Sequence, residues 1–222
     1  MKTKKKILII MSVVMSIIML LTLTACNRSS NNDELRELAK VEIKEFEGKA
    51  LSSILEFREN SIEGPQKVDI ETYKLKIDGL VNKPTDYTYD EVLTNTKYIK
   101  PIRLNCVEGW SVDILWEGLL LSDLFDKVEV RNTASTVIFY AEDGYTTSLP
   151  LVTILEKDMM LAYKMNGVIL PPERGYPFQL VAEDKLGYKW IKWITRIELS
   201  DDEDYLGYWE ERGYDNEANI KK

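Results

Sequence analysis

From residue 73 onward the chain is written largely in period two. Tyr73, Leu75 and Ile77 alternate with Lys74, Lys76 and Asp78, the pattern of a strand with one buried and one wet face. Further strands are expected over 98–104, 112–116, 137–140, 145–149, 160–165, 168–170, 178–181 and 193–199. Two connections carry hairpin signals, Glu142-Asp143-Gly144 and Asn166-Gly167. Such short turns join antiparallel neighbours. Helices are few. Thr88 and Glu91 are spaced as a capping box for a short helix over 89–94, and 119–127 is amphipathic. Without a strand–helix–strand rhythm a doubly wound parallel sheet is excluded. The fold class expected is α+β, with mixed or antiparallel sheets and short helices.

The start of the chain obeys other rules. Lys2, Lys4, Lys5 and Lys6 precede a run over 7–21 that is apolar apart from Ser12 and Ser16, and Leu23-Thr24-Ala25-Cys26 closes it. That order is a secretory signal. A hydrophobic residue, two small ones and a cysteine resemble the bacterial lipobox, which implies cleavage before Cys26 and lipidation of its thiol. The alternative is an uncleaved anchor, since the run approaches the ~20 residues of a spanning helix. Both place the rest outside the cytoplasm, tethered to a bacterial membrane. The organisation expected is a lipoprotein signal over 1–25, a spacer and N-terminal helical segment over 26–50, and one globular domain over 51–222. The stretch 34–57 is expected to hold one or two short helices broken near Gly48.

Composition removes whole classes of function. The 222 residues include no His and only two Cys. This excludes Ser-His-Asp and Cys-His catalysis, His-ligated zinc or haem, and a multi-disulfide framework. Loss of residues 1–25 takes four lysines away and leaves 25 basic against 37 acidic side chains, a net charge of −12. Such a domain is a poor partner for nucleic acid, and none is expected. Cys106 is then the one ordinary thiol. The tail from Ser200 is acidic, then aromatic at Tyr205, Tyr208, Trp209 and Tyr214. It reads as a solvated turn followed by a helix that docks its aromatics on the domain, with a binding motif as the alternative.

Cys106 stands at a strand end in PIRLNCVEGWSVDILWEG, three residues after Arg103. A cation there would lower the thiol pKa, although Glu108 opposes it. A thiolate favours a soft or high-valent metal, and one thiolate alone holds no metal tightly. A metal at Cys106 therefore needs an organic ligand anchored elsewhere. The other reading is a buried, inert cysteine. Downstream, NGVILPPERGYPFQLV brings Arg174 beside Gly175, and LGYKWIKWITRI carries Lys189 and Lys192. The basic pair suits a phosphate. Equally, the lysine stems snorkel over Trp190 and Trp193.

Taken together, CVEGWS followed by W-x-G, and NGxxLPPxxGxP followed by GYKWIKWI, resemble the molybdopterin-binding domain of the sulfite oxidase family. They look in particular like the bacterial protein-methionine-sulfoxide reductase catalytic subunits. The likeness runs from about residue 58 to residue 199. It implies a sulfite-oxidase-like fold and a molybdenum–molybdopterin cofactor. Cys106 matches the metal ligand, and Arg103 an arginine of the catalytic site. Asn60, Arg174, Lys189, Trp190, Ile191 and Lys192 fall at cofactor contacts, the last three where the pterin phosphate is held. The resemblance also implies oxygen-atom transfer to or from a sulfoxide or another small molecule. Electrons would pass through a separate protein, because a chain without His carries no cytochrome-b5-type haem. Gln179 stands where relatives usually have Arg, and Asn105 replaces another Arg, which argues against sulfite. The leader has no Arg pair of the kind these enzymes use for export. Two other readings stand beside the enzyme. One is a non-catalytic lipoprotein that keeps the fold as a binding module. The other is a thiol-redox lipoprotein, which lacks a resolving cysteine.

Overall fold

The computed structural model describes residues 33–220. The expected signal, the lipobox and Cys26 lie outside the described residues. The chain divides into two units, one ending at Val41 and the other beginning at Glu42. In the first, residues 33–41 form helix α1, with Lys40 paired to Glu37 one turn back. No helix among the described residues is long and apolar enough to cross a membrane.

The second unit starts ahead of the expected boundary at Leu51, with a hairpin in place of a second short helix. Glu47 and Gly48 both take positive φ, 50° and 76°, as a two-residue type I′ turn requires. They join β1 (Glu45–Phe46) to β2 (Lys49–Ala50). The strands β3 (Leu75–Gly79) and β4 (Thr85–Tyr87) follow, then α2 (Tyr89–Leu93). Thr88 and Glu91 close the expected capping box on α2. Next come β5 (Tyr98–Asn105), β6 (Ser111–Leu120), α3 (Leu121–Val128), β7 (Thr136–Ala141) and β8 (Thr146–Pro150). The chain continues with α4 (Leu151–Glu156), β9 (Met160–Met165), β10 (Val168–Ile169), β11 (Gln179–Val181) and β12 (Ile194–Ser200).

Apart from the two-stranded sheet of β1 and β2, these strands build two five-stranded sheets. One runs β10-β9-β6-β5, with β11 also on β9, and is antiparallel throughout. The other runs β4-β3-β12-β7-β8 and is mixed, because β12 lies parallel to β3. The α+β class with mixed and antiparallel sheets is therefore the observed one. Side chains such as Trp116, Phe139, Phe178, Leu75 and Ile197 are fully buried. Helix α3 adds Leu121, Leu124, Phe125 and Val128 to the core from one face.

Three local features position the site. The β5–β6 turn holds Cys106, whose N–H donates to Trp110 O at 2.9 Å. Asn166, at φ 47°, lies fully buried in the β9–β10 turn and holds the start of the unit. Its amide donates to Glu42 Oε2 (3.2 Å) and Ser52 O (2.9 Å), and its Oδ1 accepts from Leu115 N–H (3.0 Å). The tail folds back over β8: Tyr208 N–H donates to Thr146 O at 3.0 Å and Ser148 Oγ to Tyr205 O at 3.1 Å. The tail is thus docked, as its aromatic content suggested, but in place of the expected helix it holds a single 3-10 turn over Glu210–Arg212.

Candidate active site

Four stretches meet around a cavity of about 390 Å³: residues 57–62, the β5–β6 turn, the turn at 173–174, and 187–193. That volume is in the range of small-molecule and cofactor sites. Cys106 lines it, half-buried. Burial pushes its thiol pKa up, and the Glu108 carboxylate adds to that. The N–H groups of Glu108 and Val107 pull the other way, as does Arg58. The balance leaves a protonated thiol at neutral pH, a state that a soft cation reverses by stabilising the thiolate. Asn60 brings its Nδ2 within 3.8 Å of Cys106 Sγ.

Two cations face the same cavity, Arg174 buried and Lys192 partly so. Arg174 is 5% exposed. It sits in a 3-10 turn over Pro172–Arg174. Burial brings its guanidinium pKa down to about 10. Its Nε and Nη2 donate to Ile54 O at 3.1 and 3.0 Å, and Nη2 reaches Phe57 O at 3.4 Å. Lys192 meets Glu59 at 2.9 Å and stands 4.2 Å from the centre of the Trp193 ring. Burial lowers the Lys192 pKa, against the pull of Glu59. Gly175 does not offer its backbone to a ligand. A Cβ there would meet Cβ and Cγ of Lys192 at 3.0 Å, so this glycine makes room for the lysine stem. Trp190 and Ile191 are buried cavity residues, and Trp190 Nε1 donates to Lys185 O at 3.0 Å.

Two expected site residues are not brought to the cavity. Lys189 is fully buried beneath the tail. It pairs with Glu210 and donates to Ser148 O and Asn216 Oδ1, each at 2.9 Å. All three ammonium donors are used, so Lys189 has none left for a phosphate. Arg103 lies outside the cavity, in a bidentate pair with Asp113 (2.8 and 2.6 Å). On a strand, neighbours point to opposite faces, and Leu104 is the one that lines the cavity.

Several lining residues were missed from sequence. Arg58, Glu59 and Ser61 extend the segment around Asn60, and Asp143 with Tyr145 comes from the β7–β8 hairpin. Trp209 and Tyr214 come from the tail, whose run of aromatics was the available signal.

The residues present fit a flat, anionic cofactor carrying a thiophilic metal. Among the described residues no group of three or more His, Cys, Asp or Glu side chains can hold a metal alone. One thiol needs a metal that brings its own ligand. Lys192 suits an anionic group, Arg174 adds positive charge with its hydrogen bonds spent on main-chain carbonyls, and Trp110, Trp190, Trp193 and Tyr188 provide aromatic walls. The Ser61 Oγ is buried beside the cavity without a hydrogen-bond partner, which leaves it open to a ligand.

Fold and site together define an oxidoreductase domain that binds molybdopterin. The chain matches the oxidoreductase molybdopterin binding domain family over residues 62–209 and belongs to it. It is 35% identical over 151 residues to the uncharacterized oxidoreductase YuiH of Bacillus subtilis, covering 76% of that protein. It is 33% identical over 150 residues to a putative protein-methionine-sulfoxide reductase subunit, YedZ1, of Azospira oryzae. Identity to the protein-methionine-sulfoxide reductase catalytic subunit MsrP of Ralstonia nicotianae is 28% over 145 residues. The chain spans only 56% and 44% of the latter two proteins. Among solved structures it resembles the sulfane dehydrogenase SoxCD of Paracoccus pantotrophus. The TM-score is 0.60 at 25% identity, over 63% of this chain and 41% of that one.

Proposed function

We propose that this chain is a molybdenum–molybdopterin oxidoreductase that reduces S-oxides or carries out a related oxygen-atom transfer. It would work outside the cytoplasm, held on a bacterial membrane by a lipid on Cys26, and exchange electrons with a separate protein. The observation that carries this reading is the Cys106 thiol opening on the same cavity as the cations Arg174 and Lys192.

When bound, the cofactor supplies two-electron redox chemistry and the exchange of an oxygen atom. The chain's own residues place and shield it. Cys106 would ligate the metal as thiolate, with Asn60 Nδ2 3.8 Å from that sulfur to steady it. Lys192 offers its positive charge to an anionic group. Trp190, held by its bond to the Lys185 carbonyl and packed with its ring tilted against Trp116 at 5.7 Å, gives a rigid wall. Reduction of a sulfoxide needs two electrons and two protons and releases a sulfide and water. Asp143 lines the cavity, and burial raises its carboxyl pKa, so it is suited to carrying one of those protons.

The names of the relatives support a sulfur-centred substrate. The export and tether rest on Leu23-Thr24-Ala25-Cys26. The test is turnover of a methyl sulfoxide by molybdenum-loaded protein with a reduced viologen dye as donor. Sulfoxide-dependent dye oxidation is expected. Loaded protein that oxidises sulfite but reduces no S-oxide would overturn the substrate class. Replacement of Cys26 by Ser should release the protein from membranes, and a protein that stays bound contradicts the lipid tether.

A further inference from the structure

The segment that covers Cys106 is held in an unusual way. Residues 57–68 make no backbone–backbone hydrogen bond within the described chain. Fixed loops normally satisfy much of their backbone internally, so another source of order is needed. Here side chains provide it. Arg174 bonds the carbonyls of Ile54 and Phe57, and its guanidinium lies 4.9 Å from the centre of the Phe57 ring. Beyond that point Glu59 meets Lys192 at 2.9 Å, and Asn60 approaches Cys106 Sγ.

The hydrogen bonds of Arg174 all end on main-chain carbonyls. A buried guanidinium is costly to desolvate, and its rigid fork suits two carbonyls better than a lysine ammonium would. Gly175, the next residue, backs the Lys192 stem. One turn thus supports two of the clips on the segment, Arg174 directly and Lys192 through its stem, while the Asp143 carboxylate holds the Ile62 N–H at its far end.

We infer that Arg174 is a positioning residue: it grips the Ile54 and Phe57 carbonyls and keeps the 57–62 strap closed, so that Asn60 stands at Cys106 and Glu59 at Lys192. The closure is a property of the protein alone. That the closed strap also retains the cofactor rests on the function proposed above.

The test is limited trypsin digestion of the full chain made without molybdopterin, comparing wild type, Arg174→Gln and Arg174→Lys. Cleavage after Arg58, inside the strap, should speed up about tenfold in Arg174→Gln, the scale of lost charge-assisted bonds. Cleavage after Arg103, in β5, should be unchanged, and Arg174→Lys should recover part of the resistance. Uniform acceleration across the chain, or an unaltered strap, would overturn the inference. If Arg174→Gln fails to fold, the comparison is made on Arg174→Lys: faster cleavage confined to the strap supports it, and none overturns it. A second arm follows molybdenum loss from loaded protein on gel filtration. Several-fold faster loss from the variant than from wild type is expected, and equal retention overturns the cofactor-holding role. A wild-type chain that never holds molybdenum refutes the proposed function, while the strap is still judged by the first arm.

Discussion

Arg103 and Asp113 face each other across β5 and β6, with Nη2 and Oδ2 2.6 Å apart. The Arg103 hydrogen bonds hold the Asp113 carboxyl below the usual carboxylate range. A lowered pKa stabilises the fold above the unfolded value and loses that effect as pH falls through the folded one. The side chains are 57% and 42% exposed, so solvent screens the pair. Arg103→Ala should lower the melting temperature by only about 2 °C near neutral pH. The difference from wild type should shrink as pH drops below about 4. Melting curves across pH check this, and a difference that grows in acid contradicts it.

Lys189 and Glu210 form an ion pair with both side chains fully buried. Removing one partner strands a buried charge and costs about 3–5 kcal/mol, whereas replacing both by apolar side chains costs less. Urea unfolding of Lys189→Met, Glu210→Leu and the double variant tests the pair. The double variant should be more stable than either single one. Single variants within about 1 kcal/mol of wild type would show that the pair does not hold the tail.

Asn166 joins three stretches through Glu42, Ser52 and Leu115. Asn166→Ala orphans the buried Leu115 N–H and takes one of its donors from the Glu42 carboxylate, and Ala is poorly suited to φ 47°. A loss of about 3 kcal/mol is expected in chemical denaturation. Asn166→Asp should be at least as harmful near neutral pH, because the amide donor beside Glu42 becomes a second carboxylate. An Asn166→Asp variant as stable as wild type contradicts this role.

Much of the fold was legible where local chemistry decides it. Asn166-Gly167 turned as its residue types require, with φ of 47° and 78°. The Thr88–Glu91 box capped its helix. Helix α4 was not legible, since Leu151-Val-Thr-Ile-Leu-Glu is β-branched and reads as strand; tertiary packing overrides that propensity. Of the site, Cys106, Asn60, Arg174, Trp190, Ile191 and Lys192 were legible and share the cavity. Arg103 was misjudged because a spacing of three in sequence brings side chains together on a helix, not on a strand. Lys189 was misjudged because its partner, Glu210, lies 21 residues away, and nothing local announces the pairing.

In the proposed function Cys106 is the one protein ligand of a molybdenum cofactor. The molybdenum content of wild-type and Cys106→Ser protein, purified side by side from the native host, tests this. About one molybdenum per wild-type chain is expected. A steep loss is expected in the serine variant, whose hydroxyl is a poor ligand for a thiophilic metal, with the melting curve of the cofactor-free protein little changed. Equal molybdenum in both proteins, or none in wild type when a known molybdoenzyme from the same cells is loaded, would contradict it.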